Sequence, residues 1–367
     1  MGWFSFCFTR GDCILRKILL PFFLSVLLFL IISSFLNYLS KPRGIVISSW
    51  NENLPFYQKV EKPSKTFLQA SFELPEYLQS SPDNPDEIAI VFQKVIGNQL
   101  KVYLNGELIH VSGSESGNIW PSPIVVRLPK SVLSKQNSIK LELFAVINYG
   151  ISYLPYVTTL SEAQKIAWLQ GMFRSDLNLF AMGIATIIAY IMFFIFGITN
   201  IPQRKEYLYL GFSSLFTLIG FFQFVSRETS GSVYLYTLFE KVSIALPALS
   251  ATLIYLSINE RYGKKIGKIF LNVLLSIPII ILGIIILPFE NRIISVLSDI
   301  SNLYSIFLVG LTMWFVFKHK VIELVFPIFF LLMTAVQSTT VLLLRLPDEI
   351  LLPYGRIIFL VFVSMEA

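Results

Sequence analysis

Five side chains in the second half of the chain stand out because their neighbours are apolar: Asp299, Glu323, Gln337, Arg356 and Glu366. An ionisable group in hydrocarbon is costly, and is kept where it pairs, moves a proton or meets a ligand. Asp299 and Arg356 are of opposite sign, in two segments that enter the apolar region from the same side. The sequence therefore predicts an intramembrane pair between them. Glu323 and Glu366 fall near segment ends, where reaching the interface is enough. Pro247, Pro278 and Pro327 lie inside apolar segments; they are read as kinks, with hinge movement as the functional alternative. In the more polar first half, Tyr103, His110 and Trp120 lie on or beyond one hairpin and the loop Ser112–Pro121 (SGSESGNIWP). An aromatic platform with hydrogen-bonding neighbours is the chemistry of sugar recognition. The plainer reading keeps Tyr103 in a core and uses Trp120 as a plug.

Other chemistry lacks its parts. The sequence holds no G-x-S-x-G, H-E-x-x-H or Walker motif. Glu107 and Glu115 are acidic residues of a hairpin and a Ser-rich loop, where such residues are ordinary. Cys7 and Cys13 have no histidine nearby, and His110 is far from His319, so no metal site and no cofactor are expected. The chain is read as a protein without enzymatic activity.

The elements that position these residues follow from composition. Of 367 residues 54% are hydrophobic and 14% charged, against about 25% charged in soluble proteins. This is an integral membrane protein. The net charge of +6 sits largely at the ends of apolar segments, so lipid headgroups explain it and nucleic acid does not. Residues 1–17 are read as a cytoplasmic N-terminus and 18–39 as a signal anchor. Residues 40–165 follow as an exported β-sandwich, 166–176 as a linker helix, and 177–367 as a seven-helix bundle. The expected spans are about 177–198, 207–226, 241–258, 269–289, 293–317, 321–344 and 351–365. Each is read as long enough to cross a core of about 30 Å as a helix, the form that satisfies its own backbone there.

The sandwich is read from alternation with period two in Thr66–Leu74, Glu87–Val95, Leu100–Leu104, Glu107–Val111, Ile124–Leu128 and Ser138–Val146. Between the middle pair, Asn105-Gly106 predicts a two-residue type I′ hairpin. Orientation is read from charge. Loops placed in the cytoplasm carry Arg204, Lys205, Arg261, Lys264, Lys265, Lys268, Lys318 and Lys320, whereas the opposite loops carry Arg227, Arg292 and Arg345. That bias puts both termini in the cytoplasm and residues 40–165 outside.

The stretches IAIVFQKVIGNQLKVYLNGELI (Ile88–Ile109) and RLPKSVLSKQNSIKLELF (Arg127–Phe144) carry a resemblance, with Asn137 and the aromatics of Tyr149–Tyr156. They resemble the galactose-binding-like jelly roll of bacterial 7TM receptors with diverse intracellular signalling modules. The resemblance implies an inner-membrane sensory receptor: an exported jelly roll binding a small molecule or glycan, and seven helices passing the change to a cytoplasmic effector. Those receptors continue into a cyclase or kinase, whereas this chain ends at Ala367. The expectation is an effector on another chain, or one lost from this one. A polytopic transporter or envelope-biogenesis subunit with an exported binding domain is the alternative.

Overall fold

The computed structural model describes residues 10–74, 87–200, 204–225, 231–263, 267–287, 291–344, 346 and 350–367. Cys7, Arg227, Lys264, Lys265 and Arg345 lie outside them. Helix α1 (Arg10–Leu39) carries the apolar run Ile18–Leu39, which spans about 33 Å at 1.5 Å per residue. It lies against the bundle. Ser25 Oγ donates to the carbonyl of Phe326 at 2.9 Å, and Phe22 meets Phe329 edge-on at 5.0 Å.

Eleven strands follow among the described residues: β1 (Ile45–Val46), β2 (Phe56–Lys59), β3 (Ser64–Glu73), β4 (Ile88–Phe92), β5 (Val95–Ile96), β6 (Gln99–Leu104), β7 (Glu107–Gly113), β8 (Ile124–Arg127), β9 (Gln136–Ala145), β10 (Asn148–Ile151) and β11 (Tyr156–Thr159). Two four-stranded sheets, β1-β11-β4-β8 and β3-β9-β6-β7, face each other, and a small sheet β2-β10-β5 stands beside them. In β6, Leu100, Val102 and Leu104 point inward while Gln99, Lys101 and Tyr103 point out. This is the alternation that one buried face imposes. The turn at Asn105 (φ 50°) and Gly106 (φ 93°) has the two positive φ angles of a type I′ hairpin. Asn105 also reaches across the sheet, donating to the carbonyl of Val132 and to Asn137 Oδ1 and accepting from the backbone of Ser138. Asn137, one of the residues that carry the resemblance, is buried and closes this turn by bonding Ser134 through both ends of its amide. Strand β4 departs from alternation and is buried on both faces. The reason is α2 (Leu160–Gly171), whose Ala163 packs against Ala89 and Val91 on the side away from the main core.

Helix α2 does not end where the sandwich does. A π-helical turn (Met172–Asp176) joins it to α3 (Leu177–Ile198), giving one rod of 39 residues from Leu160 to Ile198. The bundle continues with α4 (Lys205–Phe221), α5 (Val233–Tyr262), α6 (Lys268–Ile286), α7 (Asn291–His319), α8 (Val325–Leu343) and α9 (Leu352–Glu366). With α1, seven helices among the described residues are long and apolar enough to cross a membrane. The last helix, α9, has 15 residues and reaches about 22 Å, less than the span expected over 351–365 requires. Helix α5 is the centre: 72% of its apolar window is buried, against 22% for α6, which therefore faces lipid. Pro247 and Pro278 stand inside α5 and α6. Pro327 falls in the first turn of α8, where a missing N–H breaks no helical bond, so it is no mid-helix kink.

Candidate functional site

The small sheet lies over the sandwich-side ends of the helices and leaves a cleft between the two parts. Its roof is made by Tyr57 of β2, Asn148 of β10, Ser152 and the turn Lys94–Asn98; its floor by Gln223, Tyr236, Glu240 and Leu342. A second hollow continues it, sharing Tyr57, Asn148 and Glu240 and adding Lys59 and Asp299. Cationic groups thus line the sandwich side and carboxylates the helix side.

Trp120 forms one wall. Its ring meets Phe224 edge-on at 5.4 Å, and Lys94 Nζ lies 5.9 Å from the ring centre. The loop that carries it is fixed to the bundle. Asn118 Nδ2 donates to the carbonyls of Gln223 (2.8 Å) and Val225 (3.2 Å), and Ser116 Oγ accepts from the backbone N–H of Gly231. Two polar atoms on the roof, Asn148 Oδ1 and Ser152 Oγ, are buried without a hydrogen-bond partner among the described residues. A buried polar atom left unpaired costs about 1–3 kcal/mol, so these two favour an occupant with hydrogen-bonding groups, water included. An aromatic wall, two open hydrogen-bonding positions and charges of both signs suit a small polar molecule.

The other residues singled out from sequence are placed elsewhere. Tyr103 lies on the outward face of β6, half-buried rather than in the core, and its hydroxyl donates to Glu142 Oε2. His110 stands opposite Val102 on β7, the end strand of that sheet. Neither lines the cleft, so the three aromatics do not form one platform; the pleat turns Tyr103 away from the side on which Trp120 lies. Asp299 and Arg356 are not brought together either. Asp299 lines the second hollow, whereas Arg356 lines a separate, smaller cavity with Asn302 and Ser305, further along α7. Gln337 serves the fold: its Oε1 accepts from the backbone of Leu351, and Ser338 Oγ accepts from Leu351 and Leu352, so α8 caps the start of α9. Glu323 is exposed in a short turn before α8, and Glu366 ends α9. Among the described residues no group of three or more His, Cys, Asp or Glu is arranged to hold a metal ion.

Three features were missed in the sequence. Glu240 was set just outside a span beginning at 241, but α5 begins at Val233, so Glu240 stands two turns inside a helix. The acidic–basic pair Glu240-Lys241 within an apolar stretch was the available signal. Asn148 and Ser152 fell in a Tyr-rich passage read as a connection. Arg174, buried in the π turn, donates to the carbonyl of Gln93 (2.6 Å), Gln170 Oε1 (3.3 Å) and Ser40 Oγ (2.9 Å). It ties the sandwich, the end of α1 and the long rod together. No protein family and no curated protein matches this chain in sequence.

Proposed function

We propose that this multi-pass membrane protein is a sensory receptor of a bacterial inner membrane, akin to the 7TM receptors with diverse intracellular signalling modules. Its sandwich is extracytoplasmic, both termini are cytoplasmic with the 15-residue α9 as a short eighth crossing, and its ligand is a small polar molecule of carbohydrate type. The observation that carries this reading is the cleft itself, because its lining comes from both sandwich and bundle. A ligand held there has contacts to lose or gain when the two parts shift. Binding must then favour one arrangement of the helices over another. The excess of Lys and Arg on alternate loops supports the orientation. The effector that receives the change is cytoplasmic.

A transporter or envelope-biogenesis subunit is the second reading, favoured by the mainly apolar cavity deeper in the bundle that holds the charge of Arg356. Against it, α5, α7 and α8 run unbroken, whereas transporters commonly unwind paired helices near the midplane. The test is thermal unfolding of the full chain in detergent against a panel of mono- and disaccharides. The receptor reading expects a concentration-dependent rise in Tm with at least one sugar, abolished by Trp120→Ala. No shift across the panel, or a shift untouched by that substitution, contradicts it. Uptake of the same sugar into proteoliposomes would move the conclusion to the transporter.

A further inference from the structure

We infer that the helix bundle contains a second site, distinct from the outer cleft, that binds an anion of the carboxylate or phosphate class with Arg356 as its counter-charge. The inference does not depend on the receptor reading. Arg356 lies on the second turn of α9 and lines a small cavity walled by α4, α5, α7, α8 and α9. It makes no hydrogen bond, ion pair or ring contact with any described residue. No carboxylate lines the cavity; Asp299, three residues before Asn302 on α7, lines the hollow towards the sandwich instead.

The polar lining divides into groups already used and groups left over. Ser305 and Thr312 donate to carbonyls one turn back in their own helix, and Thr217 and Ser250 hydrogen-bond each other at 2.8 Å. What remains is the guanidinium of Arg356, the carboxamide of Asn302 and the hydroxyl of Thr339, which form no hydrogen bond with any described residue. Arg356 and Asn302 come from facing helices, as does Thr339 on α8. Together they present a planar five-donor fork, an amide N–H₂ and an O–H around one space. A cation in an apolar bundle is costly without a partner, and a guanidinium fork matches a carboxylate or phosphate through two parallel hydrogen bonds. An anion entering here neutralises the charge and takes up the unused donors in one step. The same chemistry is offered by a small anion from water and by the headgroup of an anionic lipid.

The test is thermal unfolding of the purified full chain in a non-ionic detergent at constant ionic strength. The probes are sodium phosphate, sodium galacturonate, and dioctanoyl phosphatidylglycerol against dioctanoyl phosphatidylcholine. The inference expects a saturable rise in Tm with an anion and none with the zwitterionic lipid. A rise with phosphate or galacturonate identifies an aqueous ligand; a rise with phosphatidylglycerol alone identifies a lipid headgroup. Arg356→Gln is expected to abolish the shift and, without any anion, to melt no lower than the native chain, since it removes an uncompensated charge. Thr339→Val, nearly the same volume, is expected to raise the half-saturating concentration about tenfold, equivalent to one lost hydrogen bond of about 1.4 kcal/mol; it carries the test if Arg356→Gln does not fold. The inference is overturned if no anion moves Tm, or if half-saturation is the same in the variants. It is also overturned if Arg356→Gln and Asp299→Asn each lower Tm and are non-additive together, which would mean that the two charges pair.

Discussion

Glu142 shows how a single charge is managed on the outward face of the sandwich. Lys65 Nζ sits 3.0 Å and Lys101 Nζ 3.3 Å from Glu142 Oε1. Hydrogen-bonded first by Lys65 and then by Lys101, the carboxylate is held below its ordinary value of 4.5. A carboxyl whose pKa is lower in the folded than in the unfolded state adds stability above the unfolded value and loses it as pH falls through the folded one. The stability difference between the native chain and Glu142→Gln should therefore be present at neutral pH, and should vanish as pH falls below 4.5. Because both lysines are partly solvated, the difference should be small and should shrink with added salt. Denaturation of both proteins across that pH range checks it; a difference constant with pH contradicts it. At this same scale, Asn105-Gly106 was legible in the sequence because positive φ at two adjacent residues is a local demand. Asn148 and Ser152 were not, since what makes them notable is a helix bundle about seventy or more residues away in the chain.

Between elements, α8 and α9 come close together at Gly355. A Cβ built there would overlap the hydroxyl of Thr334 and stand 3.2 Å from the Cα of Leu331. Helices α8 and α9 thus meet backbone to backbone, as small residues allow in membranes. Gly355→Ala is expected to force α9 away and to destabilise the bundle by about 1–3 kcal/mol, the usual cost of overpacking. Thr334→Ala in the same chain should recover part of that loss, and a thermal-unfolding double-mutant cycle reads it. Two additive penalties would contradict the contact. The helices themselves were legible to within a turn or two, because a run of apolar residues in lipid has one backbone solution. Their ends were less so: α5 begins eight residues before its expected start at 241, and that extension carries Tyr236 and Glu240 into the cleft. Likewise β2 and β10 were passed over because four-residue strands next to proline and tyrosine carry little periodicity.

For the molecule as a whole, the sandwich is joined to the bundle through shared structure. The rod Leu160–Ile198 packs its first three turns on β4 and its remainder in the membrane, with Arg174 at the bend. Arg174→Ala removes bonds to Gln93, Gln170 and Ser40 and leaves a buried carbonyl unpaired, for a cost of about 1–3 kcal/mol. It should also loosen the junction, so amide exchange at Gln93–Val95 and Ser40–Lys41 should quicken while the β3–β9 ladder stays protected. Uniform loss of protection throughout the sandwich would mean that Arg174 supports the domain and not the joint.

The central claim is that one ligand touches both parts at once, and hydrogen exchange on the full chain tests it most directly, with the sugar that raises Tm most. The account predicts slower exchange in β2, in β10 and in the first two turns of α5 together, at the same half-saturating concentration. Protection confined to the sheet that carries Tyr103 and His110, with α5 unchanged, would contradict it.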